Sequence, residues 1–261
     1  MPRNSLKSIS KLIDRVNDKL SVEEMFLSDL KRSIEIWDAK SSRKPSQTYK
    51  PSSLRCVRNM YYQIIGAEPD EAPSNYCSVG ICNSGSDIHV RVQTAINQMK
   101  CNGFDCEYVN VAEFVQQKHL DDLEIISQNG METKLYNKRL NVSFLCDGII
   151  RYKNHYYILE IKTETSFKWT QRKGVDYAHY DQGTAYSLMF NLPEIIFIYV
   201  SRDILDMKAY MFIPTEEMKS ELLDKIEVCN KWVSKETVPT KPDIDRKVCT
   251  YCAYKGRCSI E

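Results

Sequence analysis

Two carboxylates and a lysine share one run of alternating residues, Asp147 to Lys162, DGIIRYKNHYYILEIK, and this run constrains the chain more than any other. Residues Val142–Tyr152 and Tyr156–Thr163 are dense in β-branched and aromatic side chains and meet at the polar pair Lys153-Asn154, which predicts two strands joined as a hairpin. With Lys153 and Asn154 as the turn, Asp147 falls opposite Glu160, their Cβ atoms roughly 4.5–5.5 Å apart. Side chains alternate along a strand, so Lys162 shares the face of Glu160, while Leu159 and Ile161 point to an apolar face. Carboxylates that close repel unless a cation lies between them, and oxygen ligands suit Mg²⁺ or Mn²⁺ better than zinc. Such an ion activates water, orients a phosphate and neutralises charge in an in-line displacement, with Lys162 placed to hold the water or the developing charge. A solvated hairpin with an ordinary Asp/Glu/Lys cluster has the same pattern, so the reading depends on the rest of the chain.

Gln182 and Tyr186, four apart in DYAHYDQGTAYSLMF, share one face of a predicted helix and can reach the same phosphate or nucleotide. His89 stands beside the apolar stripe Ile88, Val92, Ala95, Ile96, Met99 of a helix expected from about Gly85 to Met99. Strands are expected over Glu194–Ser201 and Met207–Ile213, with a turn near Asp203–Asp206. A helix over Thr215–Trp232 follows, capped by Thr215 with Glu216 and Glu217 near its N-terminus. At the other end, Leu6, Ile9, Leu12, Ile13, Val16 and Leu20 recur at helical spacing. Val22, Met25, Phe26, Leu30, Ile34 and Trp37 continue that spacing after a cap at Ser21. Lys40–Lys50 reads as a linker, and Pro51-Ser52-Ser53 as the start of the helix carrying Cys56.

The C-terminal Cys249, Cys252 and Cys258 form a C-x2-C-x5-C pattern, and with Cys56 they supply four thiolates. Four thiolates satisfy either an iron–sulfur cluster or tetrahedral zinc, and the spacing does not choose. Either would close a long loop, whose entropy cost grows only with the logarithm of its length, and so act as a structural staple. Cys77, Cys82, Cys101, Cys106, Cys146 and Cys229 read as free buried thiols in a reducing cytoplasm, since no signal peptide is evident and the metal-type cluster needs thiolates. The net charge of +1 gives no global nucleic-acid footprint, so DNA contact is expected to be local, through Lys168, Arg172 and Lys173 or through Arg55 and Arg58. No apolar run approaches the ~20 residues that cross a bilayer, so no membrane association is expected. The helicase P-loop pattern G-x-x-x-x-G-K-[ST] is also missing, so unwinding would need a partner.

Taken in order, His89, Asp147, Glu160-Ile161-Lys162, Gln182 and Tyr186 resemble the motifs of RecB-type PD-(D/E)XK nucleases. The context SSLRCVRNMYY around Cys56, together with the C-terminal cysteines, is similar to the CRISPR-associated RecB-like exonucleases and AddB, and the resemblance spans approximately residues 51–258. It implies an α/β, restriction-endonuclease-like core over residues 51–261, a mixed central sheet flanked by helices; the helical extension over residues 1–45, read from its helical spacing, is where the chain departs from that pattern. It implies a [4Fe–4S] cluster on Cys56, Cys249, Cys252 and Cys258. It also implies Mg²⁺ or Mn²⁺ held by His89, Asp147, Glu160 and the carbonyl of Ile161, with Glu132 a looser match to a further acid. Asp147, Glu160 and Lys162 would be catalytic, and Gln182 and Tyr186 would position DNA. The implied activity is a metal-dependent exonuclease on single-stranded DNA or DNA ends, serving recombination, repair, phage DNA metabolism or CRISPR adaptation, with a helicase or recombination protein as a further partner. A catalytically idle iron–sulfur subunit of a recombination or helicase complex is the alternative, and a zinc-stabilised structural module a third. The presence of Asp147, Glu160 and Lys162 together favours the enzyme.

Overall fold

The computed structural model describes residues 21–40, 46–70, 75–241, 246–250 and 252–260. The hairpin has the expected register: strand β5 (Gly148–Tyr152) pairs antiparallel with β6 (His155–Glu164), placing Gly148 opposite Leu159 and Tyr152 opposite His155. Lys153 and Asn154 adopt φ of 49° and 63°, the left-handed pair that a two-residue type I′ turn requires. Between β6 and its parallel neighbour β7 (Ile195–Ser201) the chain forms helices α5 (Ser166–Gln171) and α6 (Tyr180–Phe190), the kind of crossover that parallel pairing demands. An antiparallel edge strand, β8 (Met207–Phe212), follows, and β1 (Cys106–Val109) closes the other edge against β5, giving a mixed five-stranded sheet in the order β1-β5-β6-β7-β8.

The expectation of one continuous strand over Val142–Tyr152 is corrected. Residues Val142–Cys146 form β4, which pairs with β3 (Glu132–Asn137) and, through it, with β2 (Leu123–Asn129) in a separate three-stranded sheet. The chain passes from one sheet to the other at Asp147-Gly148. Gly148 sits at φ 154°, and a Cβ there would collide with the ring and hydroxyl of Tyr108 on β1, so the crossing point admits only glycine.

Helices cover both faces of the five-stranded sheet. Helix α3 (Tyr76–Gln98) contributes Ile88, Val92 and Ile96 to a cluster with Ile150, Leu159, Ile161 and Val200. A larger cluster gathers Ile149, Ile158, Phe197 and Tyr199 with Tyr186, Met189 and Phe190 of α6 and Leu222 and Ile226 of α7 (Glu216–Ser234). This mixed α/β architecture, with its sheet between helices, is the fold class expected from the sequence. Helix α7 is capped as expected, the Thr215 side chain accepting from the Met218 amide at 3.2 Å.

The chain forms two compact units, residues 1–44 with 72–83 and residues 45–71 with 84–261. In the first, α1 (Val22–Lys40) begins with a capping box in which the Glu24 amide donates to Ser21 Oγ and the Ser21 amide to Glu24 Oε2. The helix expected over Leu6–Leu20 lies outside the described residues. In the second unit, the described end of the expected linker is not a linker: Tyr49 is fully buried and bridges to Val142. Pro51–Ser53 forms a short 3-10 turn of its own, and Cys56 is the N-cap of α2 (Val57–Ile64) rather than a residue within a helix begun at Pro51. Helix α4 (Val111–Gln117), capped by Asn110, was not anticipated, nor were β1 and β2; β3 is the strand on which the family resemblance put Glu132. Of the six cysteines expected to be buried, Cys106, Cys146 and Cys229 are, whereas Cys77, Cys82 and Cys101 are exposed. Among the described residues, no helix is long and apolar enough to cross a membrane.

The sheet crossing yields a direct expectation: Gly148→Ala lowers stability by about 2–4 kcal/mol through steric conflict and an unfavourable φ. Urea denaturation of the two proteins measures the loss.

Candidate active site

Asp147 is fixed at the crossing by its neighbours. Beyond Leu159 the ladder between β5 and β6 ends, and the Ile161 amide, left without a β5 partner, donates instead to Asp147 Oδ2 at 2.7 Å. The backbone carbonyl of Asp147 accepts from Gln93 Nε2 at 2.9 Å and from the Tyr108 hydroxyl. His89, one turn before Gln93 on the same face of α3, brings Nδ1 to 3.3 Å from Asp147 Oδ1. Burial pulls the His89 pKa down, but the Asp147 carboxylate outweighs it and the net shift is upward.

Beside this, Glu160, Lys162 and Gln182 close a hydrogen-bonded ring, to which Tyr186 is joined through Gln182. Lys162 Nζ donates to Glu160 Oε1 at 2.6 Å and to Gln182 Oε1 at 2.8 Å, and Gln182 Nε2 donates to Glu160 Oε1 at 2.7 Å and to the Tyr186 hydroxyl at 2.9 Å. Tyr186 donates onward to the Leu145 carbonyl at 3.1 Å. Glu160 is only 4% exposed, and burial raises its carboxyl to about 7 against the opposing charge of Lys162. Its second oxygen, Oε2, is buried with no hydrogen-bond partner among the described residues. A carboxylate oxygen enclosed and unpaired is costly unless a cation or proton meets it.

One ligand atom from each of His89, Glu132 and Asp147 lies within 4.8 Å of the others, a group that fits a hard divalent ion. Glu132, the loosest of the sequence assignments, is therefore a member of the group. Of the expected ligands, His89 and Asp147 are in it directly. Glu160 adjoins it, since its charge acts on His89 and that of Asp147 acts on Glu160. Tyr186 is 3% exposed and its hydroxyl is committed to Gln182 and Leu145, so within this arrangement it supports Gln182.

Two of the cations expected to meet DNA are instead interior. Arg58 is 2% exposed and donates to the Tyr62 hydroxyl at 3.0 Å. Arg172 makes a two-pronged ion pair with Glu164, 2.6 Å on each prong, reaches Asp176 at 3.1 Å and lies 3.9 Å over the Tyr199 ring. Its partner carboxylate is buried too, so this cation is structural. Lys168 is exposed and pairs with Asp176 at 2.8 Å, Lys173 is exposed, and Arg55 lies 5.4 Å from the Tyr177 ring centre.

Three site residues escaped the sequence reading. Gln93 and Tyr108 hold the Asp147 carbonyl, and only the four-residue spacing of Gln93 from His89 hints at it. His179, stacked on Phe197 and Tyr199, places Nδ1 2.8 Å from the Tyr199 hydroxyl; burial first, and the Lys162 charge second, lower its pKa to about 3.

Cys56, Cys249, Cys252 and Cys258 share a neighbourhood without forming a closed ligand shell. Burial raises the Cys252 thiol, and the charges of Cys56, Cys249 and Cys258 add to this. Asn59 Nδ2 lies 3.6 Å from Cys252 Sγ. Among the described residues, no three of the four sulfurs gather within 4.8 Å of one another.

No protein-family model matches the chain, and no curated protein matches it by sequence. Among solved structures, the crystal structure of SSO0001 aligns with a TM-score of 0.45 at 17% identity, covering 92% of this chain and 98% of that one. LHK-Exo in complex with dAMP aligns with a TM-score of 0.45 at 9% identity, covering 73% of this chain and 89% of that one.

Two expectations follow from the electrostatics. Arg172→Leu leaves Glu164 buried and uncompensated and costs about 3–5 kcal/mol, whereas Lys168→Ala costs about 0–1 kcal/mol, both read from urea midpoints. In protein stripped of divalent ions, folded Glu160 keeps its proton up to about pH 7, whereas the unfolded carboxyl, at its ordinary value of 4.5, has already lost it. The native state therefore binds more protons in that window, so stability falls as pH rises through it. Glu160→Gln flattens that slope in denaturation series run near pH 5 and near pH 8.

Proposed function

We propose that this chain is a Mg²⁺- or Mn²⁺-dependent deoxyribonuclease that hydrolyses phosphodiester bonds at DNA ends or in single strands. The observation that carries the reading is the unpaired Oε2 of Glu160 beside the convergent His89, Glu132 and Asp147 group. The residues present fit a divalent ion: His89, Asp147, Glu160 and the Ile161 carbonyl would hold it, with Glu132 as a further carboxylate. The Ile161 amide already faces Asp147, and the N–H and C=O of one strand residue project to the same edge, which supports that carbonyl as a ligand. Bound there, the ion would supply a more acidic water and positive charge beside the phosphoryl oxygens.

The chain's own groups then divide the work. Lys162 uses two of its three ammonium donors on Glu160 and Gln182, which leaves the third for the attacking water or a non-bridging phosphate oxygen. Gln182 fixes the direction of that donor, and Tyr186 fixes Gln182; together they would position the strand. As the water oxygen bonds to phosphorus it gives up a proton to solvent, the strand's P–O bond breaks, and the departing oxygen takes a proton from solvent to leave as a hydroxyl, with Lys162 offsetting charge on the phosphoryl group.

We place a [4Fe–4S] cluster on Cys56, Cys249, Cys252 and Cys258, joining the start of α2 to the C-terminal segment. Support comes from the residue pattern and from the electrostatic influence these thiols exert on Cys252. Iron and acid-labile sulfide, assayed in anaerobically purified protein, test it separately from catalysis. A reducing compartment suits those thiols, and a helicase or recombination protein would supply unwinding.

Lys162→Ala should reduce Mn²⁺-dependent loss of end-labelled linear DNA by at least ~10²-fold while leaving any iron–sulfur absorbance unchanged. DNA binding without cleavage by the wild type, with either metal, would favour the idle recombination subunit.

A further inference from the structure

A cavity of about 190 Å³ opens beside the candidate metal group, lined by residues that the reaction as described does not use. Two members of the group, Glu132 and Asp147, adjoin its wall. Met131 and Thr133 flank Glu132 on β3, and Tyr108, which lines the cavity, donates its hydroxyl to the Asp147 carbonyl. Asn97 follows His89 and Gln93 on one face of α3, two turns or roughly 12 Å beyond the histidine.

The chemistry of the wall selects its occupant. None of the lining residues is Lys, Arg, Asp or Glu, so nothing there answers a phosphate or a metal ion. Asn97 and Gln128 offer side-chain amides, each a donor and an acceptor, Tyr108 a ring and Met131 a thioether. Thr133 is fully buried, and its hydroxyl has no hydrogen-bond partner among the described residues. The volume suits one planar ring system, since a cavity of about 150 Å³ accepts benzene. A nucleobase is such a ring, uncharged with donors and acceptors on its edge, and a DNA substrate carries one next to each phosphate.

We propose that this cavity is a nucleobase subsite, which takes the base of a nucleotide adjoining the phosphate at the His89, Glu132 and Asp147 group. The assignment rests on the nuclease reading for the placement of that phosphate. It makes the enzyme read one base at the cleavage position, by amide hydrogen bonds and aromatic contact, in addition to the backbone.

Calorimetric titration of the full chain with dAMP and with deoxyribose 5-phosphate, in the presence of Mn²⁺, isolates the contribution of the base. The wild type is expected to bind dAMP about tenfold or more tightly than the abasic compound. Asn97→Ala and Gln128→Ala, both at exposed positions, should reduce that ratio to about threefold or less without changing affinity for deoxyribose 5-phosphate or for Mn²⁺ alone. Equal binding of the two compounds by the wild type, or a ratio unchanged in both variants, overturns the subsite. Failure of the nuclease reading shows differently, as loss of Mn²⁺ binding or of DNA cleavage, whereas the ratio reports the cavity alone.

Discussion

The structure depends on how Asp147 is held. This residue stands where the chain leaves a three-stranded sheet and enters a five-stranded one, and both its backbone and its side chain are fixed there. Gln93 and Tyr108 take its carbonyl, the Ile161 amide takes one carboxylate oxygen, and His89 faces the other. The four partners come from three elements: His89 and Gln93 from helix α3, Tyr108 from strand β1 and Ile161 from strand β6. The packing that seals α3 against the sheet through Ile88, Val92 and Ile96 therefore also sets the distance between His89 and Asp147. Core and site are one construction at this point.

A second polar layer continues along the face of β6 that carries Glu160 and Lys162. Glu160, Lys162, Gln182 and Tyr186 are hydrogen-bonded to one another and leave one Glu160 oxygen unpaired, on a residue whose carboxyl feels the charges of Asp147 and His89. Further along β6, Glu164 meets Arg172 in a pair that is fully enclosed and matched by Asp176. The two networks use the same residue types with opposite outcomes. Where every group is paired the cluster holds α5 and the following loop to the sheet; where one oxygen is left over, the cluster has capacity for a ligand.

Sequence alone revealed the hairpin register, because period-two alternation and the Lys153-Asn154 turn are local signals. It also revealed α6, β7, β8 and the Thr215 cap for the same reason. The break at Asp147 was not legible, since it depends on the meeting of Gly148 with Tyr108, forty residues earlier in the chain. Glu132 remained the weakest assignment because it reaches Asp147 through the pairing of β3 with β4, Thr133 opposite Cys146, and the break at Asp147 that sets β4 apart was itself not legible. Arg58 and Arg172 were read as surface cations because isolated charges are seldom buried. Their burial depends on the groups that enclose them, Tyr62 for the first and Glu164, Asp176 and Tyr199 for the second. The cysteine tetrad was legible as a pattern, and its assembly into a ligand shell is a question for chemistry.

The central claim is that the unpaired oxygen of Glu160 and the His89, Glu132 and Asp147 group form one divalent-metal site. Anomalous diffraction from a crystal soaked in Mn²⁺ tests this most directly. The account predicts a peak in contact with Asp147 and His89, with Glu160 Oε2 turned to it. A crystal with Mn²⁺ bound only elsewhere, or with that oxygen still unpaired beside an ordered Asp147, would contradict it.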